Sequence, residues 1–113
     1  MRRLLCFIAL APLVAACGSS GKDAIPVTST SSRCDVPRTS FTAGKLTFKI
    51  VNRGSQPTEL YVYGSNGRVI SEVENVGPGT SRTLAVSLKA GRYELGCKPG
   101  QRGSGIRVPI TVT

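Results

Sequence analysis

Between Arg33 and Thr113 apolar and polar residues alternate in short runs, and Gly, Pro and Asn punctuate those runs. A period of two places alternate side chains on opposite faces of a strand, so this stretch predicts half-buried β-strands. Leu46-Phe48-Ile50, Leu84-Val86-Leu88, Tyr93-Leu95-Cys97 and Ile106-Val108-Ile110-Val112 each supply one apolar face, and helical periodicity is nowhere sustained. Asn66-Gly67 separates Glu59–Tyr63 from Val69–Val73 in the way a type I′ hairpin turn does. Gly77-Pro78-Gly79 and Ala90-Gly91 mark two further breaks. About six or seven strands result, and two antiparallel sheets packed face to face are the economical way to bury their apolar faces. The 13 Gly and 7 Pro suit a turn-rich all-β domain, and 113 residues leave room for one small domain, which excludes a multidomain enzyme.

The first residues follow a different logic. Met1-Arg2-Arg3 precedes the apolar run Leu4–Ala16, which is followed by Cys17. A charged start, an apolar middle and a small-residue end make a secretory signal. The run is too short to span a bilayer, which takes about 20 apolar residues. Val14-Ala15-Ala16-Cys17 resembles a bacterial lipobox, in which the signal is removed and the Cys becomes the acylated first residue. Residues 1–16 are therefore expected to be a lipoprotein signal peptide, and Cys17 the lipidation site, carrying acyl chains such as palmitate. Residues 17–32, rich in Ser, Gly and Thr, read as the lipidated Cys and a flexible tether, with residues 33–113 as the folded domain. Within the tether Ile25–Thr30 has strand propensity, and Pro26 confines it to a sheet edge.

Charge and side-chain inventory narrow the chemistry. The formal charge is +9, and removal of Arg2 and Arg3 leaves it strongly basic. This favours anionic ligands or surfaces without naming one. His and Trp are absent, and the one Met is the initiator. The mature chain therefore lacks imidazole bases, imidazole ligands and thioether ligands, and it is expected to be a binding protein, not an enzyme. No aromatic platform interleaves the basic residues, so nucleic acid is not an expected partner.

Of the four Cys, Cys6 leaves with the signal and Cys17 takes the lipid, so Cys34 and Cys97 remain inside the domain. Two readings stand. An exported domain permits a disulfide, and a bridge across so long a loop is worth roughly 4 kcal/mol by chain entropy. If the pair is reduced and close, two thiolates offer ligands to Cu(I), Zn or Fe. The 62 residues between them exclude the close pair of a thiol oxidoreductase.

Tyr93-Glu94-Leu95-Gly96-Cys97-Lys98-Pro99-Gly100 continues through Gln101 to Arg107, and this segment resembles the C-terminal ligand loop of cupredoxins, where a strand ends in the copper Cys. Asn52-Arg53-Gly54, then Gln56-Pro57-Thr58-Glu59, leads into Leu60–Tyr63 as an Asn, a Pro and a copper-binding His do in plastocyanin-like proteins, with Glu59 at the His position. The segments Thr58–Gly64, Gly67–Leu84 and Tyr93–Arg107 together resemble the cupredoxin-like domain of EfeO-type iron-uptake proteins and their stand-alone relatives. The resemblance covers residues 33–113 and implies a Greek-key β-sandwich, a location in the periplasm or otherwise outside the cytoplasmic membrane, and metal handling. It also implies partners, namely an iron-uptake permease or a peptidase-like component. The cupredoxin His beyond the copper Cys falls on Gly100 and no axial Met exists, so no blue-copper site is expected.

Cys34, Cys97 and Glu59 are the candidate metal site for copper or iron. The plastocyanin-like register turns Glu59 inward, whereas the sequence period leaves open whether Tyr61 and Tyr63 or Leu60 and Val62 face the core; an exposed, cation-paired Glu59 is the other reading. Glu72 and Glu74 flank Val73 and share a face, where they either meet solvent or join Glu59 on a hard cation. Lys98, Arg102 and Arg107 surround a Gly-rich loop and form a candidate anion-binding group. The leading expectation is a membrane-anchored, extracytoplasmic, cupredoxin-like lipoprotein in iron or copper uptake or handling. The rival is a disulfide-stapled sandwich that binds a protein or envelope component without metal.

Overall fold

The computed structural model describes residues 23–113, and the expected signal peptide, residues 1–16, and lipidation site, Cys17, lie outside the described residues. They form nine strands: β1 (Ile25–Ser29), β2 (Cys34–Asp35), β3 (Ser40–Phe41), β4 (Gly44–Asn52), β5 (Thr58–Gly64), β6 (Val69–Val76), β7 (Ser81–Leu88), β8 (Gly91–Cys97) and β9 (Ile106–Val112). Seven are full strands and the two-residue β2 and β3 are short edge pieces, so the alternation locates the principal strands. One 3-10 turn, Pro99–Gln101, follows β8.

The strands make two sheets, ordered β2-β1-β4-β7 and β3-β9-β8-β5-β6. Most neighbours are antiparallel, but β1 runs parallel to β4 and β3 parallel to β9. The sheets are therefore mixed, where the sequence suggested purely antiparallel ones. β7 carries the Greek-key crossover: it returns to β4 in the first sheet, although it follows β6 of the second.

Alternation explains the core. Val27, Phe48 and Ile50 from the first sheet, and Leu60, Val62 and Leu95 from the second, are wholly buried between the layers. Phe41 and Phe48 meet edge to face with centroids 5.9 Å apart.

The folded domain begins at Ile25, eight residues before the expected boundary at Arg33, because Ile25 and Val27 are buried in the core. β1 is also not a simple edge strand, since β2 pairs with its end at Thr28 and Ser29. Pro26 is opposed only by Lys49 of β4. The strand is thus an edge at the one residue that has no N–H to donate.

The β5–β6 hairpin departs from the expected type I′ turn. The Gly67 N–H donates to the Gly64 carbonyl at 2.9 Å and the Gly64 N–H to the Arg68 carbonyl at 2.9 Å. Gly67 has φ 79°, whereas Asn66 is not left-handed. This is a three-residue loop, a type I turn closed by a left-handed glycine. A separate register shift between Val62 and Tyr63 leaves Ile70 of β6 without a partner in β5.

Strand directions define two poles. The ends of β1, β4 and β8 and the start of β5 meet at one, called here the disulfide pole. The β5–β6 and β7–β8 turns lie at the other, the hairpin pole.

Candidate functional site

At the disulfide pole Cys34 of β2 and Cys97 of β8 are bonded to each other, with Cα atoms 5.6 Å apart. Both are buried, Cys97 completely. The bond joins one sheet to the other and closes a sequence separation of 63. Its neighbours are polar and satisfied. The hydroxyls of Ser29 and Thr58, both 0% exposed, hydrogen-bond across the sheets at 2.8 Å. Asn52 donates from Nδ2 to the carbonyls of Gln56 at 2.7 Å and Val76 at 2.8 Å. Its Oδ1 accepts from the Gly54 N–H at 2.9 Å. A buried amide with three partners fixes the β4–β5 loop against β6.

The loop after β8 is held by its backbone. The Lys98 N–H donates to the Glu59 carbonyl at 3.0 Å and the Gly100 N–H to the Pro57 carbonyl at 2.8 Å. Gly100 has φ 74°, and a Cβ there would stand 2.6 Å from Gln56 Oε1. Gly105, at φ 78°, would bring one within 2.9 Å of the Cys97 carbonyl oxygen. Both glycines serve tight backbone approach in this loop.

Thr58, Leu60 and Val62 point into the core, so Glu59, Tyr61 and Tyr63 lie on the outer face of the second sheet. The inward orientation of Glu59 implied by the plastocyanin-like register is therefore not adopted. Cys97 is the register partner of Leu60 and faces inward. Glu59 and the Cys pair stand on opposite sides of the sheet, and the three candidate ligands do not converge. Among the described residues no group of three or more His, Cys, Asp or Glu is placed to hold a metal ion. With both sulfurs in a disulfide and no imidazole in the chain, the donor set does not fit a resident copper centre.

The outer face has its own organisation. The rings of Tyr61 and Tyr63 stack, centroids 5.6 Å apart and planes 14° from parallel. Lys98 Nζ lies 4.1 Å from the Tyr61 centroid and the Arg107 guanidinium 3.6 Å from that of Tyr63. These are cation–π contacts. Arg107 Nε also donates to the Ser104 carbonyl at 2.7 Å. Gly96 makes room: a Cβ there would stand 2.8 Å from Tyr63 Cε2. Of the candidate anion group, Lys98 and Arg107 thus meet on one tyrosine platform, and Arg102 stays exposed on the loop.

Carboxylates border the platform on its other side. The Tyr61 hydroxyl donates to Glu74 Oε1 at 3.3 Å, a long bond. The Tyr61 pKa is driven well above its ordinary value, first by hydrogen bonding to Glu72, then by burial, then by the hydrogen bond and charge of Glu59 and the charge of Glu72. The phenol is therefore shared among Glu74, which has the direct geometric contact, and Glu72 and Glu59, whose proximity opposes its ionisation. Glu59 is 8% exposed. Arg33 and Asp35 make the one ion pair found among the described residues, so no cation pairs with Glu59. Its cation-paired reading is not realised. The expectation that no aromatic platform interleaves the basic residues is not met, because Tyr61 and Tyr63 stack beneath Lys98 and Arg107; Tyr-x-Tyr opposite a strand glycine is the visible signal.

A two-sheet sandwich with a Cys-ended strand, a Pro-Gly loop and a buried Asn gathered at one pole is the architecture of cupredoxins. Residues 3–106 match the family described as cupredoxin-like domain, and the chain belongs to that family. Over 73 residues it is 30% identical to the iron uptake system component EfeO of Escherichia coli strain K12, an alignment covering 65% of this chain and 19% of that protein. The chain thus spans about a fifth of the length of the curated relatives it matches. The EfeO of Shigella boydii is 31% identical over 73 residues, with the same coverage. The fold is similar to reduced auracyanin from Roseiflexus castenholzii, with TM-score 0.61 and 17% identity over 80% of this chain and 97% of that one. It is also similar to auracyanin A of Chloroflexus aurantiacus, described as a blue copper protein, with TM-score 0.60 and 12% identity over 80% and 98% of the two chains. These two likenesses concern the fold alone.

Proposed function

We propose that this protein is a lipid-anchored, extracytoplasmic module of bacterial metal uptake or handling, with iron or copper as cargo, and that it binds but does not catalyse. The observation that carries this reading is the gathering of three carboxylates about one phenol on the outer face: Glu59, Glu72 and Glu74 all adjoin the Tyr61 hydroxyl, and none is ion-paired among the described residues. Carboxylates suit hard cations, which favours iron over Cu(I). The similarity to EfeO over 73 residues supports the same assignment. The Cys pair serves as a covalent staple in this reading, and an incoming ion draws the outer-face carboxylates together. Its partners are the membrane, through lipid on Cys17, and an iron-uptake permease or peptidase-like component.

Titration of the oxidised protein with iron and copper salts, followed by native mass spectrometry, tests it. A stoichiometric metal adduct lost in Glu59→Gln and kept in the Cys34→Ala, Cys97→Ala double variant is the expected result. An adduct indifferent to Glu59→Gln overturns the assignment.

The placement of Lys98 and Arg107 on the tyrosine platform favours a second reading, a stapled module that binds an acidic protein or envelope component without metal. In that case Lys98→Ala with Arg107→Ala abolishes capture of the component, and Glu59→Gln leaves it intact.

A further inference from the structure

The hairpin pole carries a surface that the metal reading does not use. A groove of about 450 Å3 opens there between the β5–β6 turn and the β7–β8 turn. Arg68, Arg92, Val69 and Ile70 line it, and Lys89 stands beside it in the β7–β8 turn. Val69 is 51% and Ile70 44% exposed, and they are the exposed large hydrophobic residues among those described. Arg68, Lys89 and Arg92 are all exposed, and none makes an ion pair among the described residues. No acidic residue lines the groove; Glu94 borders the adjoining hollow, with Arg92 and Pro109. At the opposite pole, by contrast, Lys98 and Arg107 are already engaged on tyrosine rings.

The path of the chain gives this pole its orientation. β4 starts at the hairpin pole, where Gly44 pairs with Leu88, and β1 runs parallel to it from Ile25 opposite Phe48 to Ser29 opposite Asn52. Asp23 and Ala24 therefore enter β1 from the side of the hairpin pole. Five residues lie between Cys17 and Asp23, and the six residue steps reach at most about 20 Å. On the lipid-anchor reading, that reach keeps the hairpin pole near the bilayer.

We propose that the hairpin pole is a bilayer-docking surface: Arg68, Lys89 and Arg92 engage the phosphates of anionic phospholipids, and Val69 and Ile70 enter the boundary between headgroups and acyl chains. The orientation argument rests on the lipid-anchor reading, whereas the charge and apolar arguments do not. An acyl anchor sets the distance to the membrane and leaves the domain free to turn, and a basic patch beside it supplies a second signal that fixes the attitude. Docking turns the disulfide pole and its outer-face carboxylates away from the lipid.

Both sheets are complete within residues 25–113, so the unacylated, oxidised chain from Gly18 onward carries the whole fold. The chain has no Trp, so one introduced indole is an unshared reporter. In Val69→Trp, vesicles of equal parts phosphatidylglycerol and phosphatidylcholine are expected to shift the emission to the blue, and phosphatidylcholine alone is not. The shift is expected to fade with added salt. Arg102→Trp, at the other pole, is expected to stay unchanged. Arg68→Gln and Arg92→Gln together lower the partitioning of Val69→Trp by about 25-fold, about fivefold for each cation removed near an anionic surface. A response equal at both reporters, absent from both, or equal with phosphatidylcholine alone overturns the proposal. So does a shift produced without vesicles, by inorganic phosphate (a free-anion site) or by raising protein concentration (a contact between copies). The lipid-anchor reading fails separately, when the intact mass of the full-length protein from its membrane carries no acyl group.

Discussion

Tyr61 is the residue at which the two sides of the outer face meet, with a cation over its ring and carboxylates at its hydroxyl. Its folded-state pKa lies above the unfolded value of 10.0, so the fold favours the protonated phenol. The associated stability is complete below pH 10 and is lost as pH rises beyond it, because the unfolded chain releases a proton that the folded chain keeps. The tyrosinate absorbance of wild type minus that of Tyr61→Phe should therefore show no ionisation step near pH 10 while the protein stays folded. The steep alkaline loss of stability in wild type should flatten in Tyr61→Phe. A difference spectrum that titrates at pH 10 would show the phenol to be free of Glu72 and Glu59.

The β5–β6 hairpin shows how local chemistry sets an element. Gly67 has φ 79° and open space where a Cβ would stand, so any cost of substitution there is conformational. Gly67→Ala should cost about 1 kcal/mol in chemical denaturation, and Gly67→Asn less, because Asn tolerates left-handed backbone. Equal losses would place the cost in packing instead. The sequence read this hairpin correctly as an element and wrongly as a turn type, since Asn-Gly signals a reversal, whereas the loop length follows from which strand residues close it, here Gly64 and Arg68. The principal strands were legible because alternation survives any tertiary arrangement. β1 was legible only as propensity, because its membership of the first sheet depends on pairing with β4, far along the chain. Cys97 was legible as buried, and Cys34 as its possible partner. Glu59 was legible as unusual but not as outward-facing, because a strand with Tyr on one side and Leu and Val on the other offers two apolar faces.

At the scale of the molecule the sandwich is small and, among the described residues, joined covalently at one pole only. Cys34→Ala with Cys97→Ala should lower the unfolding free energy by roughly 4 kcal/mol. Denaturant melts of the oxidised and doubly substituted proteins would measure the difference. A loss near zero would mean that the Ser29–Thr58 and Asn52 hydrogen bonds already hold the pole shut in the unlinked chain. The parallel pairing of β1 with β4 carries a mechanical consequence as well. A pull on the chain ahead of Ile25, directed along the strand axis away from the disulfide pole, loads the ladder from Ile25–Phe48 to Ser29–Asn52 in shear, so its rungs resist together instead of opening in turn like a zipper. Should they give way, Cys34 arrests the extension five residues beyond Ser29, where the disulfide transfers the tension to β8 of the other sheet. The domain is built like a fitting with a lashing and, behind it, a rivet.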